Sequence, residues 1–508
     1  MFSETAKSKF INTNGPRLEY FKKENIEKLH SIIHSKFGEF TYKTTPRDYQ
    51  YRALYASIVS KRCLLFLGPR LGKTKISLDF ISNIKSKNKP RFLVIVPSDS
   101  IISVWEDETK THSNLKALGV YGTTNQRIEL LSTAHMYDLV IMPFSGVQAI
   151  FSKKVVGSTK KNRRIPDKEK IDTFKDLFDG IIIDEIHHCK ASTTLRFKIL
   201  RMLIKDKEYR LGLTGTPFGR DPFSLWSQFY LIDEGSTFSQ NEMFFRDAFG
   251  KMDNSSMFPK LVFDDKKIGL LSRKSSTRSL SYSTYEGLGI NVFPSNTIHL
   301  KMTPHQEAEY NKAIATKDGE ISNIYIKLRQ ISSGYVNWTN PETGESSSIS
   351  VCRDTNPKLE WLESELFDTD DRIVIYYEFT QSGQAISDLL KKMNIKHRWI
   401  HGANKNKVKD IRDYKEGKVN IIIFQSLTGA EGLDLWNTNR QIFFETTDKV
   451  ITYQQISYRA VSTKRTCPLI VDNLTTSPVE RKILDCIKEG KSMLNEIIFN
   501  PNILKERA

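Results

Sequence analysis

The sequence has few cysteines, and none of them forms a pair at short spacing. The five cysteines lie far apart and include no Cys-x-x-Cys pair. This scarcity argues against a zinc ribbon and against a disulfide framework. We therefore expect a protein of a reducing compartment.

Long apolar runs are absent as well. No stretch approaches the ~20 consecutive apolar residues that a membrane-spanning helix needs. The first residues, MFSETAKSKFINTNG, contain no apolar segment of the kind found in secretion signals. These absences predict an intracellular, cytoplasmic protein with no membrane partner.

Acidic residues are the minority among the charged residues. Lys and Arg number 76 against 59 Asp and Glu, for a formal net charge of +17. Such an excess favours a polyanionic partner, nucleic acid before a membrane surface. Eight Lys or Arg lie between residues 153 and 170, where a solvated loop is the alternative to a binding patch. Four of them are predicted to contact nucleic acid: Lys160, Lys161, Arg163 and Arg164.

Short apolar runs recur along the chain and are separated by helix-length segments, a pattern typical of buried parallel strands in βαβ units. In the first half these runs are residues 63–68, 91–97, 137–143, 179–185 and 209–215. In the second half they are residues 371–379, 418–426, 440–446 and 468–474. The pattern predicts an α/β fold with two parallel sheets.

A chain of 508 residues exceeds the size of one hydrophobic core, so we expect several domains. The predicted parts are an N-terminal extension (1–45), a first α/β lobe (46–230), a mostly helical insertion and linker (231–345), a second α/β lobe (346–476) and a C-terminal helical brace (477–508). The brace begins with Ser477 as N-cap, Pro478 in the first turn and Glu480 at the capping-box position.

A Gly-Lys-Thr sequence follows the first predicted strand. The segment GPRLGKT, residues 68–74, matches the phosphate-loop pattern G-x-x-x-x-G-K-[ST] except that Leu67 stands at the first glycine and Gly68 comes one residue late. Loop amides and a following helix N-terminus bind phosphates. We expect Lys73 to bind the β and γ oxygens and Thr74 to bind Mg²⁺, with a surface turn as the alternative.

An acidic pair follows another predicted strand. Asp184 is expected to hold Mg²⁺ and Glu185 to polarise the attacking water. Since ligands bind at the carboxyl ends of parallel strands, this pair and the glycine loop should converge. A metal cluster of His187, His188 and Cys189 is the alternative, but no second ligand pair has zinc spacing.

Seven motifs in a fixed order make residues 46–490 resemble the superfamily 2 helicases, and among them the SWI/SNF-type double-stranded DNA translocases. They are PRDYQ (46–50), VIVPSDSIISVWEDE (94–108), DEIHHCK (184–190), LTGTP (213–217), LRQISSG (328–334), SLTGAEGLDL (426–435) and QQISYRAVSTKR (454–465). The resemblance implies two RecA-like lobes, ATP and Mg²⁺ as cofactors, and DNA as partner.

The resemblance also implies residue roles. The nucleotide would be bound by Gln50, which reads adenine, and by Gly68, Arg70, Gly72, Lys73 and Thr74. Catalysis would use Lys73, Glu185, Gln455 and Arg459, and Mg²⁺ would be held by Thr74 and Asp184. An arginine at position 459 would stabilise charge on the transferring phosphoryl group.

Further residues would link the nucleotide to a nucleic-acid strand. The coupling residues implied are His187, Thr214 and Thr216. Contacts with the phosphate backbone of a nucleic acid are implied for five residues: Ser98, Phe144, Ser145, Ser426 and Thr428. Trp105 and Trp436 could stack on bases, although a core position is the more common fate of a tryptophan.

The motifs depart from the family pattern in the second half. Ser462 stands where motif VI has its second arginine, with Lys464 and Arg465 two and three residues later, so the catalytic arginine is either Arg459 alone or a shifted basic residue. Motif V reads GLD where many SWI/SNF relatives have GLN. A scaffold with a weakened ATPase is therefore an alternative function.

The resemblance predicts an ATP-dependent DNA helicase or translocase that moves along or remodels DNA in replication, recombination or fork and branch remodelling. Duplex or branched DNA is expected in preference to RNA. The compact build looks like that of translocases of phages and large DNA viruses, which would place the protein in a phage's host cell. An RNA-directed superfamily 2 helicase and a restriction-type translocase subunit are the other candidates, the latter without a recognisable nuclease cluster.

Overall fold

A computed structural model gives the fold of most of the chain. It describes residues 17–84, 90–155, 164–217, 221–253, 260–289, 295–315, 321–339, 346–352, 355–367, 369–402, 404, 406–429, 435–461, 469–489 and 493. The chain forms two compact units, residues 1–287 and residues 288–508. Within the described ranges, no helix is long and apolar enough to cross a membrane.

The first unit is built on a seven-stranded sheet in which all neighbouring strands are parallel. In chain order the strands of this unit are β1 (Arg62–Leu67), β2 (Phe92–Val96), β3 (Ala117–Gly119), β4 (Leu139–Pro143), β5 (Ser152–Lys154), β6 (Arg164–Pro166), β7 (Gly180–Asp184), β8 (Tyr209–Thr214), β9 (Gly250–Asp253), β10 (Lys260–Phe263) and β11 (Ser279–Tyr282). The sheet has the order β11-β1-β8-β7-β2-β4-β3, while β5 with β6 and β9 with β10 form antiparallel pairs.

Helices cover this sheet. They are Glu19–Lys23, Ile26–Phe37, Asp48–Ser60, Lys73–Asn83, Asp99–His112, Thr124–Ser132, Phe144–Ile150, Lys168–Lys175, Leu195–Leu203, Leu225–Asp233, Glu242–Phe249, Ile268–Ser275 and Thr284–Leu288. Strands β2, β4, β7 and β8 are buried along their whole length. A parallel sheet covered on both faces explains why these strands are continuous apolar runs in the sequence.

The second unit contains a six-stranded sheet, again with all neighbours parallel. Its strands are β12 (Ser295–His299), β13 (Tyr335–Thr339), β14 (Ser346–Ser350), β15 (Ile373–Tyr377), β16 (His397–Ile400), β17 (Ile421–Gln425), β18 (Arg440–Phe443) and β19 (Ile470–Thr475). The sheet order is β12-β19-β18-β15-β17-β16, and β13 pairs antiparallel with β14. The helices are Pro304–Ala315, Ile321–Ser332, Pro357–Leu366, Thr380–Lys392, Lys407–Lys415, Ser426–Gly429, Val450–Ser457 and Pro478–Lys488.

The predicted α/β fold with two parallel sheets is confirmed. All nine strands predicted from apolar runs are present, whereas the short antiparallel pairs and four strands of the two parallel sheets were not predicted; these four are β3, β11, β12 and β16. These four are the outer strands of the two sheets. An outer strand has one unpaired edge and is less enclosed, so its sequence need not be a continuous apolar run.

Residues 231–345 contain more strand than the sequence predicted. Besides helices, the segment supplies β11 to the first sheet and β12 to the second. The chain passes from the first unit to the second between Gly287 and Leu288, within this segment. The five-part division made from the sequence stays a prediction.

The C-terminal helix begins as its sequence predicts. Ser477 is the N-cap of helix Pro478–Lys488 and accepts a hydrogen bond from the Glu480 amide at 3.3 Å. The Glu480 carboxylate accepts from the Thr476 amide at 2.8 Å, one residue before the position that a capping box uses. Glu480 also pairs with the fully buried Lys358.

Candidate nucleotide-binding site

The glycine loop joins the end of β1 to the N-terminus of helix Lys73–Asn83. Gly72 has a φ of +70°, a left-handed conformation that glycine adopts without strain. A Cβ atom at this position would also lie 2.6 Å from Nε2 of Gln50. Lys73 follows as the first helical residue, and its Nζ donates to the carbonyl of Leu67 at 3.2 Å. The loop amides and the positive end of the helix thus form an anion-binding arrangement.

The position of the first glycine has a steric reason. A Cβ atom at Gly68 would lie 2.5 Å from Oγ1 of Thr284 and 2.6 Å from its backbone nitrogen. Leu67, one residue earlier, is the last residue of β1 and is fully buried. The glycine is therefore needed at position 68, where another segment crosses the chain, and position 67 takes a core side chain.

Gln50 was predicted to read adenine. The residue is buried, and its Oε1 accepts from the Arg47 amide at 2.9 Å. Its Nε2 donates to the carbonyl of Leu71 at 3.3 Å. In this structure Gln50 therefore caps the start of helix Asp48–Ser60 and holds the glycine loop, and its contact with adenine stays a prediction. Arg70, also predicted to bind nucleotide, has a left-handed φ of +72°.

The acidic pair lies at the end of β7. Asp184 is the last residue of the strand, and Glu185 follows with a left-handed φ of +47°. One carboxylate oxygen of Asp184 accepts from Nε1 of Trp105 at 3.0 Å, and the other accepts from the Glu185 amide at 3.0 Å. Both oxygens of Asp184 are thereby oriented.

Glu185 is the centre of a polar network that joins three strand ends. Lys73 Nζ lies 3.8 Å from Oε1 of Glu185. The hydroxyl of Thr214 donates to Oε2 at 3.1 Å, and Nδ1 of His187 lies 3.1 Å from the same oxygen and 2.9 Å from the Thr214 hydroxyl. The Thr216 amide donates to the Thr214 hydroxyl at 3.0 Å. The glycine loop and the acidic pair, which were predicted to converge, thus lie together in the first unit, and the LTGTP segment joins them there.

The two carboxyl groups differ in electrostatic environment. Burial, together with the adjacent charge of Glu185, raises the pKa of Asp184 to about 6. Burial also opposes ionisation of Glu185, but the charge of Lys73 and the contacts of His187 and Thr214 outweigh it and hold the pKa of Glu185 at about 2. Glu185 is therefore the charged partner of Lys73.

The oxygen groups beside the loop fit a magnesium ion. The Asp184 carboxylate and the hydroxyl of the half-exposed residue Thr74 are of the hard oxygen type that Mg²⁺ prefers. These two residues would hold the ion, in keeping with the usual binding of Mg²⁺ by one or two protein groups plus phosphate oxygens.

The alternative metal cluster does not form. The rings of His187 and His188 stack on each other with centroids 4.6 Å apart, and Cys189 is buried. Across the described residues, no three His, Cys, Asp or Glu side chains are grouped so that they could hold a metal ion.

The residues predicted to contact nucleic acid in the first unit differ in exposure. Ser145 is exposed and Ser98 half-exposed, whereas Phe144 is buried and has the Arg196 guanidinium 4.4 Å from its ring centre. Arg164 donates to the hydroxyl and the carbonyl of Ser152, which ties β6 to β5. The three other basic residues of the patch lie outside the described residues: Lys160, Lys161 and Arg163.

Two further residues predicted to contact nucleic acid lie in the second unit. Ser426 is fully buried, and its hydroxyl donates to the carbonyl of Tyr377 at 3.1 Å. Thr428 is half-exposed and donates to the carbonyl of Gln425 at 2.8 Å. Contacts of these residues with nucleic acid stay predictions.

The second unit also carries the two predicted catalytic residues of motif VI. Gln455 lies in helix Val450–Ser457 and Arg459 in the 3-10 turn Tyr458–Ala460, both half-buried. The Arg459 carbonyl accepts from the Leu435 amide at 3.0 Å. Their catalytic roles stay predictions. Ser462 and the two basic alternatives, Lys464 and Arg465, lie outside the described residues.

Two residues at the site were not assigned a role there from the sequence. Trp105 is 1% exposed, so it is a core residue, but its indole nitrogen reaches Asp184. Its motif position was a usable signal. Thr284, which lies on the glycine loop, belongs to the polar stretch between the predicted lobes and carries no sequence signal.

Trp436, the other tryptophan considered for base stacking, is 39% exposed, and its contact with bases stays a prediction.

Two protein-family models match the chain. The family described as type III restriction enzyme, res subunit, matches residues 43–219. The helicase conserved C-terminal domain matches residues 357–464. The first match contains the glycine loop, the acidic pair and the LTGTP segment, and the second contains Gln455 and Arg459.

Several proteins are similar to parts of the chain. The uncharacterized ATP-dependent helicase YqhH of Bacillus subtilis is 23% identical over 315 residues, which is 57% of this chain and 54% of that protein. The putative protein p41 of Acyrthosiphon pisum secondary endosymbiont phage 1 is 22% identical over 83% of this chain and 89% of its own length. The DNA 3'-5' translocase XPB2 of Sulfurisphaera tokodaii is 25% identical over 39% of this chain and 37% of its own length.

Among solved structures, the Sulfolobus solfataricus SWI2/SNF2 ATPase core in complex with dsDNA aligns with 92% of this chain and 95% of its own, at 20% identity and a TM-score of 0.41. The matched regions span about half of the Bacillus helicase and a third of the archaeal translocase. On the two family models, these relatives and its ordered motifs, the chain belongs to the superfamily 2 helicases.

Proposed function

We propose that the protein is an ATP-dependent DNA helicase or translocase, which hydrolyses Mg-ATP to move along or remodel DNA. The observation that carries the proposal is the network around Glu185, in which Lys73, Thr214 and His187 converge beside a glycine loop. A surface turn or a purely structural acidic residue would not bring these groups together.

Each residue of this network has a distinct chemical role. The glycine loop and the helix N-terminus bind the phosphates, and Lys73 moves from Glu185 and the Leu67 carbonyl to the β and γ oxygens. Glu185, ionised at neutral pH, accepts a hydrogen bond from the attacking water and orients it. Magnesium, when bound, neutralises charge that develops on the phosphate oxygens.

The network also supplies a path for coupling. His187 and Thr214 touch the carboxylate that orients the water, and the Thr216 amide is bonded to Thr214. A change in the position of Glu185 on hydrolysis would therefore reach the LTGTP segment directly. We expect the LTGTP segment to move with the change from ATP to ADP and thereby to alter the contacts with the bound DNA strand.

DNA is the proposed substrate. The net charge of +17 suits a polyanion, and XPB2, one of the similar proteins, is named as a DNA translocase. Duplex or branched DNA is preferred to RNA, and the process is replication, recombination or fork and branch remodelling. The similarity to a phage protein over most of both chains supports a phage-like setting.

Phosphate release by the full chain tests the proposal. Turnover of Mg-ATP is measured alone and with duplex DNA, single-stranded DNA, branched DNA or RNA. We expect stimulation by DNA and, in Lys73→Ala, loss of turnover by at least about a hundredfold, since the lysine contacts the transferring phosphate.

The other outcomes separate the alternatives. Turnover of the wild-type chain no higher than that of Lys73→Ala would identify a nucleic-acid-binding scaffold instead of an enzyme. Stimulation by RNA in preference to every DNA would identify an RNA-directed helicase.

A further inference from the structure

The phosphate loop is bound along one side by residues 282–287, a segment that the sequence analysis placed between the two lobes. Strand β11 pairs with β1 up to the register Leu67 with Tyr282. Beyond that register, the Gly68 amide donates to the carbonyl of Tyr282 at 2.9 Å. The chain then turns into helix Thr284–Leu288 directly beside the loop.

Thr284 makes the central contact of this segment. The residue is 1% exposed, and its hydroxyl donates to the carbonyl of Pro69 at 2.8 Å. The approach is so close that Gly68 has no room for a side chain, as its Cβ atom would lie 2.5 Å from the Thr284 hydroxyl. The contact with Thr284 thus explains why the first glycine of the loop is at position 68, one residue later than the phosphate-loop pattern requires.

A second close approach lies one turn further along. A Cβ atom at Gly287 would lie 2.6 Å from Cδ2 of Leu71, which is fully buried. On the other side of the loop, Gln50 donates to the Leu71 carbonyl at 3.3 Å. The loop therefore has fixed partners at Gly68, Pro69 and Leu71 before any nucleotide binds.

These contacts have a physical purpose. A loop that points its amides at phosphates must point its carbonyls away, and buried carbonyls need donors of their own. Thr284 supplies the donor for Pro69, and Gln50 supplies the donor for Leu71. Loss of one donor would leave a carbonyl unsatisfied and free to rotate, which would misalign the adjacent amides.

The location of the segment adds a second consequence. The chain passes into the second compact unit between Gly287 and Leu288. Three residues therefore separate the hydroxyl that fixes the loop from the point at which the chain leaves the first unit. A shift of Pro69 on nucleotide binding would act on this exit through the Thr284 hydrogen bond and the short helix that follows it.

We propose that Thr284 is a positioning residue of the phosphate loop and that it couples nucleotide binding to residues 282–288. This inference rests on the proposed function, since it requires that the loop binds nucleotide. It adds a residue outside the seven motifs to the machinery of the site.

The test compares Thr284→Val, which keeps the size and removes the donor, with Thr284→Ser, which keeps the donor. Thr109→Val is the matched control, because Thr109 is 2% exposed and its hydroxyl likewise donates to a backbone carbonyl, that of Trp105. Affinity for a fluorescent ATP analogue is measured for each full-length variant. Hydrogen exchange of peptides covering residues 282–289 is measured with and without Mg-ATPγS.

In the wild type we expect nucleotide to slow amide exchange in residues 282–289 by about fivefold or more, as a local opening becomes less favourable. Thr284→Val should weaken nucleotide binding about tenfold, the effect of one lost hydrogen bond to a partly buried carbonyl, and should lose the slowed exchange. Thr284→Ser and Thr109→Val should bind within about twofold of the wild type.

The outcomes separate the inference from the proposed function. Unchanged exchange in the wild type on nucleotide binding would overturn the coupling even if Thr284→Val does not fold. Equal binding and equal exchange in Thr284→Val and wild type would overturn the positioning role while the ATPase stands. Absence of any nucleotide binding by the wild type would instead remove the proposed function.

Discussion

At the scale of single residues, Trp105 shows how one side chain serves two purposes. It packs in the core between helix Asp99–His112 and the sheet, and its indole nitrogen donates to Asp184 at 3.0 Å. The sequence offered base stacking and core packing as the two readings of this tryptophan. Core packing is correct, and the hydrogen bond to Asp184, the carboxylate predicted to hold Mg²⁺, is an addition that side-chain type alone does not reveal.

Replacing Trp105 tests the second purpose. Trp105→Phe retains an aromatic ring but leaves one oxygen of Asp184 without its donor. We expect the Mg²⁺ concentration that supports half-maximal nucleotide binding and half-maximal turnover to rise by about tenfold, the lower end of the effect of removing a residue that orients a metal ligand.

Trp226→Phe is the control for Trp105→Phe, since Trp226 is also buried and donates to a backbone carbonyl, that of Ser239, at 2.9 Å. An equal rise of the Mg²⁺ requirement in both variants would mean that Trp105 acts through packing alone.

Gln50 makes the opposite point about residue-level prediction. Motif position predicts adenine contact, but the structure shows both ends of the amide engaged with backbone groups of Arg47 and Leu71. A motif names a residue whose position matters without stating which atoms it contacts. Those contacts depend on the loop path, which the sequence does not give.

At the scale of elements, the sequence predicts interior strands and misses outer ones. Strands such as β2 and β7 are enclosed on both faces and paired on both edges, so nearly every residue is apolar. Strand β12, with the sequence SNTIH, is at most half-buried and resembles a loop. Its pairing with β19 is a tertiary contact over more than 170 residues, which periodicity cannot detect.

The C-terminal helix is fixed by a buried ion pair. Lys358 is 0% exposed, and its Nζ donates to the carbonyl of Phe444 at 2.8 Å and to the Glu480 carboxylate. We expect Glu480→Ala to destabilise the second unit by about 3 kcal/mol, because a buried ammonium loses its partner. Adding Lys358→Met should recover most of this loss. Thermal unfolding measures both.

An exposed pair provides the comparison for Glu480→Ala. Glu309 lies 3.6 Å from Lys312, whose side chain is 77% exposed. Glu309→Ala should change stability by no more than about 1 kcal/mol. If Glu480→Ala were as mild as this control, the buried pair would not anchor the helix.

At the scale of the whole molecule, the residues predicted to act on the nucleotide are divided between the two units. The loop, the acidic pair and their network belong to the first unit, whereas Arg459 and Gln455 belong to the second. The order of seven motifs along the chain was sufficient to predict this distribution. The sequence could not predict which segments close each sheet, because outer strands depend on the complete topology.

Arg459 is the residue that tests the need for the second unit. Arg459→Ala should lower turnover of Mg-ATP by about a thousandfold, the usual effect of removing an arginine that stabilises the transferring phosphoryl group. Nucleotide affinity should fall much less, so single-turnover kinetics and binding are measured together. Turnover within a few-fold of wild type would assign the role to another cation, with Lys464 and Arg465 the first to be replaced.

The outer strands β11 and β12 decide where the polypeptide tolerates division. A fragment ending at residue 230 lacks β11 and bares the apolar edge of β1, whereas a fragment ending at Gly287 keeps the seven-stranded sheet whole. The unpaired N–H and C=O groups of an exposed strand edge pair with other polypeptide chains, which leads to aggregation. We expect the longer fragment to elute as a monomer in size-exclusion chromatography and the shorter one to aggregate, and the reverse result would contradict this. Residues 231–345 supply one outer strand to each of the two sheets. A division of the chain that leaves both sheets whole must therefore fall between β11 and β12.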